Sequence, residues 1–156
     1  MSFERKIQAA HGYMELELTD EALKELDTLS PEEQQEEITL QLRLLILMHA
    51  QRWEQGVPVC ELLRRQSPGL SIGYIHGAYC LHVMGKTEEA REILRKGPPS
   101  LYHEATYFYN LGCYNAILGD KQEAVQNLQT SFQMNPTFRD EAQNDPDLES
   151  ISELLK

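Results

Sequence analysis

Apolar side chains recur along the chain at helical spacing: Ile7, Ala10 and Met14; Leu40, Leu44 and Leu47; Leu111, Tyr114 and Leu118. That spacing gathers them on one face of an α-helix, and no stretch keeps the strict alternation of a half-buried strand. The pattern predicts helices and no sheet. Capping signals mark where several helices open. Asp120 stands three residues before Glu123, Thr87 precedes Glu88 and Glu89, and Ser30-Pro31-Glu32-Glu33 offers a cap followed by proline at the first helical position. Asp120 is thus expected to cap a helix, and the third helix is expected to begin at Pro31. Pro58 predicts a late start or a kink in its helix, because proline lacks the N–H that an interior turn uses.

The pattern repeats. SIGYIHGAYCLHVMGKTEEAREIL from Ser71 and ATYFYNLGCYNAILGDKQEAVQNL from Ala105 align at an offset of 34 residues. Tyr74 then meets Phe108, Ala78 meets Gly112, Gly85 meets Gly119, Glu89 meets Glu123, Ala90 meets Ala124 and Leu94 meets Leu128. The same offset places Leu44 opposite Ala78 and Gly56 opposite Ala90, and in a fainter first unit it aligns Ala10 and Ala22. Four units follow, 3-36, 37-70, 71-104 and 105-138, with a tail over 139-156, all in one domain spanning 1-156. Each unit reads as two helices. Antiparallel pairs that stack need small residues where they cross closely, and Gly112 with Ala124 meets that need.

The fourth unit resembles a tetratricopeptide repeat. Phe108, Leu111, Gly112, Gly119, Ala124, Leu128, Ser131 and Pro136 stand where that family prefers aromatic, leucine, glycine, glycine, alanine, large apolar, small and proline residues. The tail FRDEAQNDPDLESISELLK is similar to the capping segment that follows the last repeat in many bacterial members. The resemblance implies an all-α, right-handed superhelical solenoid of antiparallel helix pairs. The third unit departs from the pattern: Lys96-Gly97-Pro98-Pro99 should end its second helix early.

Composition narrows the function classes. The 156 residues carry 25 acidic and 14 basic side chains, a net charge of -11, which disfavours nucleic acid and anionic membrane surfaces as partners. The acidic excess lies in residues 1-37 and in the tail from Arg139, while the middle is near neutral. Three widely spaced cysteines, Cys60, Cys80 and Cys113, form no C-x-x-C pair and read as reduced thiols of a cytoplasmic protein. The start MSFERKIQAAHGY lacks the apolar core of a secretory signal, and Leu44–Met48 is far shorter than the roughly 20 residues of a membrane span.

Candidate chemistry is sparse. Gly73, Gly77 and Gly85 follow no strand and match no phosphate-loop spacing. His11, His49, His76, His82 and His103 form no zinc signature, and Asp145-Pro146-Asp147 reads as a capped helix start rather than a calcium loop. Cys113 has no cationic neighbour in sequence to lower its thiol pKa. No enzyme activity, cofactor or metal is expected.

The resemblance also implies a concave groove lined by first helices, which in the family holds a partner segment. The equivalent positions in the first two units are Ile7, His11, Met14, Leu45, Met48 and His49. In the last two they are Ile72, Ile75, Tyr79, His82, Tyr109 and Cys113. One subgroup of the family clamps acidic tails with basic residues there. Here Ile38, Ile72, Ile75 and Tyr109 occupy those places, and only Asn110 matches. The expectation is a non-enzymatic interaction module, scaffold or chaperone-like, for an apolar or amphipathic protein segment. The alternative is a structural homo-oligomer, such as a homodimer, with the groove filled by a second copy or by the chain's own tail, where Ile151, Leu154 and Leu155 form an amphipathic patch.

Overall fold

A computed structural model describes residues 1–156. The chain is all-α, without a strand, and divides into two compact units, Met1–Ser67 and Pro68–Lys156.

The first unit contains α1 (Phe3–Glu15), α2 (Thr19–Asp27), the single turn α3 (Pro31–Gln34), α4 (Glu37–His49) and α5 (Trp53–Gln66). Its core joins α1, α2 and α4 through Ala10, Ala22, Leu26, Leu29, Leu42 and Ile46. Ser30 forms a full capping box, its hydroxyl accepting from Glu33 N–H while the Glu33 carboxylate accepts from Ser30 N–H, both at 3.1 Å. As expected, the third helix, α3, begins at Pro31; it lasts a single turn, and the next long helix, α4, starts at Glu37. Pro58 does not delay α5, which begins at Trp53. The ring sits in the sixth helical position, so the Glu54 carbonyl loses its intrahelical donor.

The second unit contains α6 (Ile72–Val83), α7 (Thr87–Arg95), a 3₁₀ segment Pro99–His103, α8 (Ala105–Ile117), α9 (Lys121–Met134), α10 (Thr137–Ala142) and a second 3₁₀ segment Pro146–Leu155. α7 pairs with α6, and α9 with α8. As expected from Lys96-Gly97-Pro98-Pro99, α7 stops after 9 residues, whereas α5 and α9 run for 14. Ala78, Ala90 and Ala124 are fully buried. At Gly112 a Cβ would lie 2.6 Å from Leu128 Cγ and 3.2 Å from the Ala124 carbonyl oxygen, so the α8–α9 crossing tolerates only glycine without adjustment.

All four turns from first to second helix share one backbone device. Glu17, Gln51, Gly85 and Gly119, at successive intervals of 34 residues, adopt φ of 61°, 59°, 84° and 89°. The next residue's N–H reaches five residues back, as in Leu18 to Tyr13 O at 2.9 Å and Asp120 to Asn115 O at 2.8 Å. This is the Schellman closure of a helix C-terminus, which favours glycine at the left-handed residue. The second helices begin at Thr19, Trp53, Thr87 and Lys121, again 34 residues apart.

Asp120 does not cap α9 with its side chain. Its carboxylate pairs instead with Arg91, whose Nη1 also donates to Asn115 Oδ1 at 3.0 Å. Asn115, fully buried, passes a further bond to Asn127 Oδ1 at 2.9 Å, so a polar chain ties α7, α8 and α9 together. A guanidinium held by two acceptors outweighs a single cap.

Candidate functional site

In the first unit, Ile7 and Met14 are partly buried and pack against the core, and Met48 is half-buried. His11, Leu45 and His49 are exposed, His11 with its ring 3.6 Å from the Glu15 carboxylate. In the second unit Ile75, Tyr109 and Cys113 are buried, Ile72 and His82 are half-buried, and Tyr79 is exposed.

The second unit brings His82, Tyr109 and Cys113 together with two residues of the tail. The tail folds back because Leu148 and Ile151 bury themselves against α8 and α9. This sets the Asp145-Pro146-Asp147 turn beside the middle of α8. Asp145 caps its own 3₁₀ segment, its Oδ1 accepting from Asp147 N–H at 3.0 Å. Its Oδ2 accepts from the Tyr109 hydroxyl at 2.6 Å and from the Cys113 thiol at 3.8 Å. Asp147 Oδ2 accepts from His82 Nε2–H at 2.8 Å, and the Thr87 hydroxyl lies 2.9 Å from His82 Nδ1. A carboxylate only accepts, so Nε2 carries a hydrogen. Phe138 stacks on Tyr109 with ring centroids 4.9 Å apart.

These groups surround an open cavity of about 480 Å³, also walled by Tyr79, Val83, Asn110, Tyr114 and Glu141. Burial and the Asp145 and Asp147 carboxylates push the Cys113 thiol well above its usual range. Burial, then the bond to Asp145, does the same to the Tyr109 phenol. The thiol is therefore protonated near neutral pH and is no activated nucleophile. Tyr114 is 1% exposed, and its hydroxyl has no hydrogen-bond partner.

The family resemblance marked His82, Tyr109 and Cys113 but not Asp145 or Asp147, which join the site only through the tail's return. The available signal was the pair Leu148 and Ile151, apolar residues just beyond the Asp-Pro-Asp turn. No helix is long and apolar enough to cross a membrane.

No protein-family model matches the chain, and no curated protein does. Solved structures match it. The structure "MamA MSR-1 C2" superposes with a TM-score of 0.71 at 13% identity, covering 88% of this chain and 79% of its own. "MamA 41-end from Desulfovibrio magneticus RS-1" superposes at 0.70 with 17% identity, covering 88% of this chain and 80% of its own. At such identities the likeness is one of architecture, and the chain has an all-α helical-repeat fold like that of these structures.

Proposed function

We propose that this chain is a non-enzymatic protein–protein interaction module of the tetratricopeptide type, taking an apolar or amphipathic partner segment on its first-helix faces. The observation that carries the reading is the outward apolar side chains of α4 and α6. On α4, Ile38 and Leu45 are 54% and 50% exposed and, seven residues apart, share one face with His49. On α6, Tyr79 and Val83 are 38% and 43% exposed and share a face with Ile72. Exposed apolar stripes rimmed by polar residues suit partner helices or extended segments, with aromatic side chains as anchors. Basic flanks on the partner would complement the acidic ends of the chain.

A second reading, in which the chain's own tail fills part of the groove, draws support from Tyr109 and Cys113, both buried and bonded to Asp145. Within the second unit the two readings are compatible, the tail covering the α8 face and leaving the exposed side chains of α6 to a partner.

The test is a pull-down from the source organism followed by affinity measurement with the partner recovered. Leu45→Ala and Tyr79→Ala should each weaken binding by about 1 kcal/mol or more, roughly fivefold. Unchanged affinity in both, with binding abolished by Glu88→Lys on the exposed side of α7, would place the contact elsewhere. Light scattering separates a filled homodimer from a free module, since only the former gains mass with concentration.

A further inference from the structure

The cavity beside α8 is lined by the half-buried carboxylates of Asp145 and Asp147 and the exposed one of Glu141, and by no lysine or arginine. Two half-buried carboxylates side by side are unfavourable unless donors, a cation or a proton relieve them. Cys113 Sγ and one carboxylate oxygen from each of Asp145 and Asp147 lie within 4.8 Å of one another. We propose that Cys113, Asp145 and Asp147 bind a divalent transition-metal ion, zinc fitting best, which staples the tail to α8 while His82 positions Asp147 from α6.

The geometry is close to what such an ion needs. Tetrahedral zinc, with bonds of about 2.3 Å to sulfur and about 2.0 Å to oxygen, sets its sulfur and oxygen ligands about 3.5 Å apart. Cys113 Sγ and Asp145 Oδ2 stand at 3.8 Å. The mixed donor set excludes magnesium and calcium, which take oxygen ligands almost alone. Zinc accepts thiolate and carboxylate together.

The surroundings supply the outer support that metal ligands require. Asp145 is oriented by Tyr109 and by Asp147 N–H, and Asp147 by His82, whose ring is held in turn by Thr87. His82 Nε2 and Asp147 Oδ2 are 2.8 Å apart, a hydrogen bond rather than the edge of a coordination tetrahedron, so histidine serves as the positioning residue. The Tyr114 hydroxyl, buried and without a partner, belongs to the same wall. A water in the fourth metal position would supply the acceptor it lacks. Binding replaces the thiol proton, which leaves to solvent as the S–metal bond forms.

The full-length chain, stripped with chelator and checked by circular dichroism, is titrated with cobalt(II) and then zinc(II). The expected result is one ion per chain, a near-ultraviolet thiolate-to-cobalt charge-transfer band, and loss of that band when zinc displaces cobalt. Zinc should also protect Cys113 from iodoacetamide in peptide mass spectrometry, leaving the rates at Cys60 and Cys80 unchanged. Asp145→Asn should lower zinc affinity by at least tenfold, and His82→Gln by about 10–100-fold without abolishing the thiolate band. Absence of that band, or an affinity indifferent to Asp145→Asn, overturns the site and leaves adventitious surface binding. If a substituted chain does not fold, the cobalt spectrum and alkylation of the unaltered protein decide the matter alone.

Discussion

Gly112→Ala and Gly12→Ala make the same chemical change in the interiors of two helices, yet they should move stability in opposite directions. At Gly12, in α1, an added Cβ meets nothing within 4 Å. Only the helix-propensity gain remains, about 0.5–1 kcal/mol in favour of alanine. At Gly112 the new Cβ would stand 2.6 Å from Leu128 Cγ and 3.0 Å from its Cδ2. Carbon atoms prefer about 3.5–4.0 Å, so Leu128 must retreat by roughly 1 Å. It is fully buried, and the clash falls on its branch point rather than on a mobile methyl. The Ala124 carbonyl at 3.2 Å limits escape on the other side. Overpacking of this kind costs about 1–3 kcal/mol, and the backbone contact argues for the upper half of that range. After the propensity gain is subtracted, Gly112→Ala should destabilise by about 1–2.5 kcal/mol. Urea unfolding followed by circular dichroism reads both variants, and the single tryptophan, Trp53, adds a fluorescence probe inside the unit that holds Gly12. The midpoint should rise for Gly12→Ala and fall for Gly112→Ala. A Gly112→Ala chain as stable as the parent would refute the close α8–α9 crossing.

Other expectations follow from the same contacts. Glu17→Gly and Gln51→Gly relieve left-handed strain and should each raise the thermal midpoint, by about 0.5–1 kcal/mol of stability, whereas Gly119→Ala should lower it by about 1 kcal/mol. Asn115→Ala leaves Arg91 and Asn127 short of partners and should cost about 2 kcal/mol in denaturant unfolding, and an unchanged midpoint would show that the network is idle. His76 has its pKa lowered below 6.5 by burial, only partly opposed by the Glu104 carboxylate. The unfolded chain therefore binds the proton more readily, so His76 contributes stability above pH 6.5 that is lost as pH falls through its folded pKa. In unfolding midpoints compared from pH 7 down to 5, His76→Gln should flatten part of that slope, and an identical slope would count against the assignment.

Periodicity along the chain determined the helices, the absence of a sheet and the 34-residue rhythm, because one helix and the small residues at its nearest crossing are written in local spacing. The Gly112 approach and the early end of α7 were legible for that reason. Other features needed partners that spacing does not name. Ser30 could be recognised as a cap, but whether a long helix or one turn followed depended on how the chain re-entered the core at Thr39, whose hydroxyl donates to the Glu33 carbonyl at 2.7 Å. Asp120 carried a cap signature, yet Arg91, 29 residues away, claims its carboxylate. Glu17 and Gln51 occupy left-handed turns without glycine because the helix pairs around them impose the turn. The candidate site was the least legible feature. Tyr109 meets Asp145 across 36 residues and His82 meets Asp147 across 65, contacts made when Leu148 and Ile151 bury the tail on α8 and α9. Local pattern specifies which residues face inward on each helix. Only burial of the tail decided which carboxylates those residues would meet.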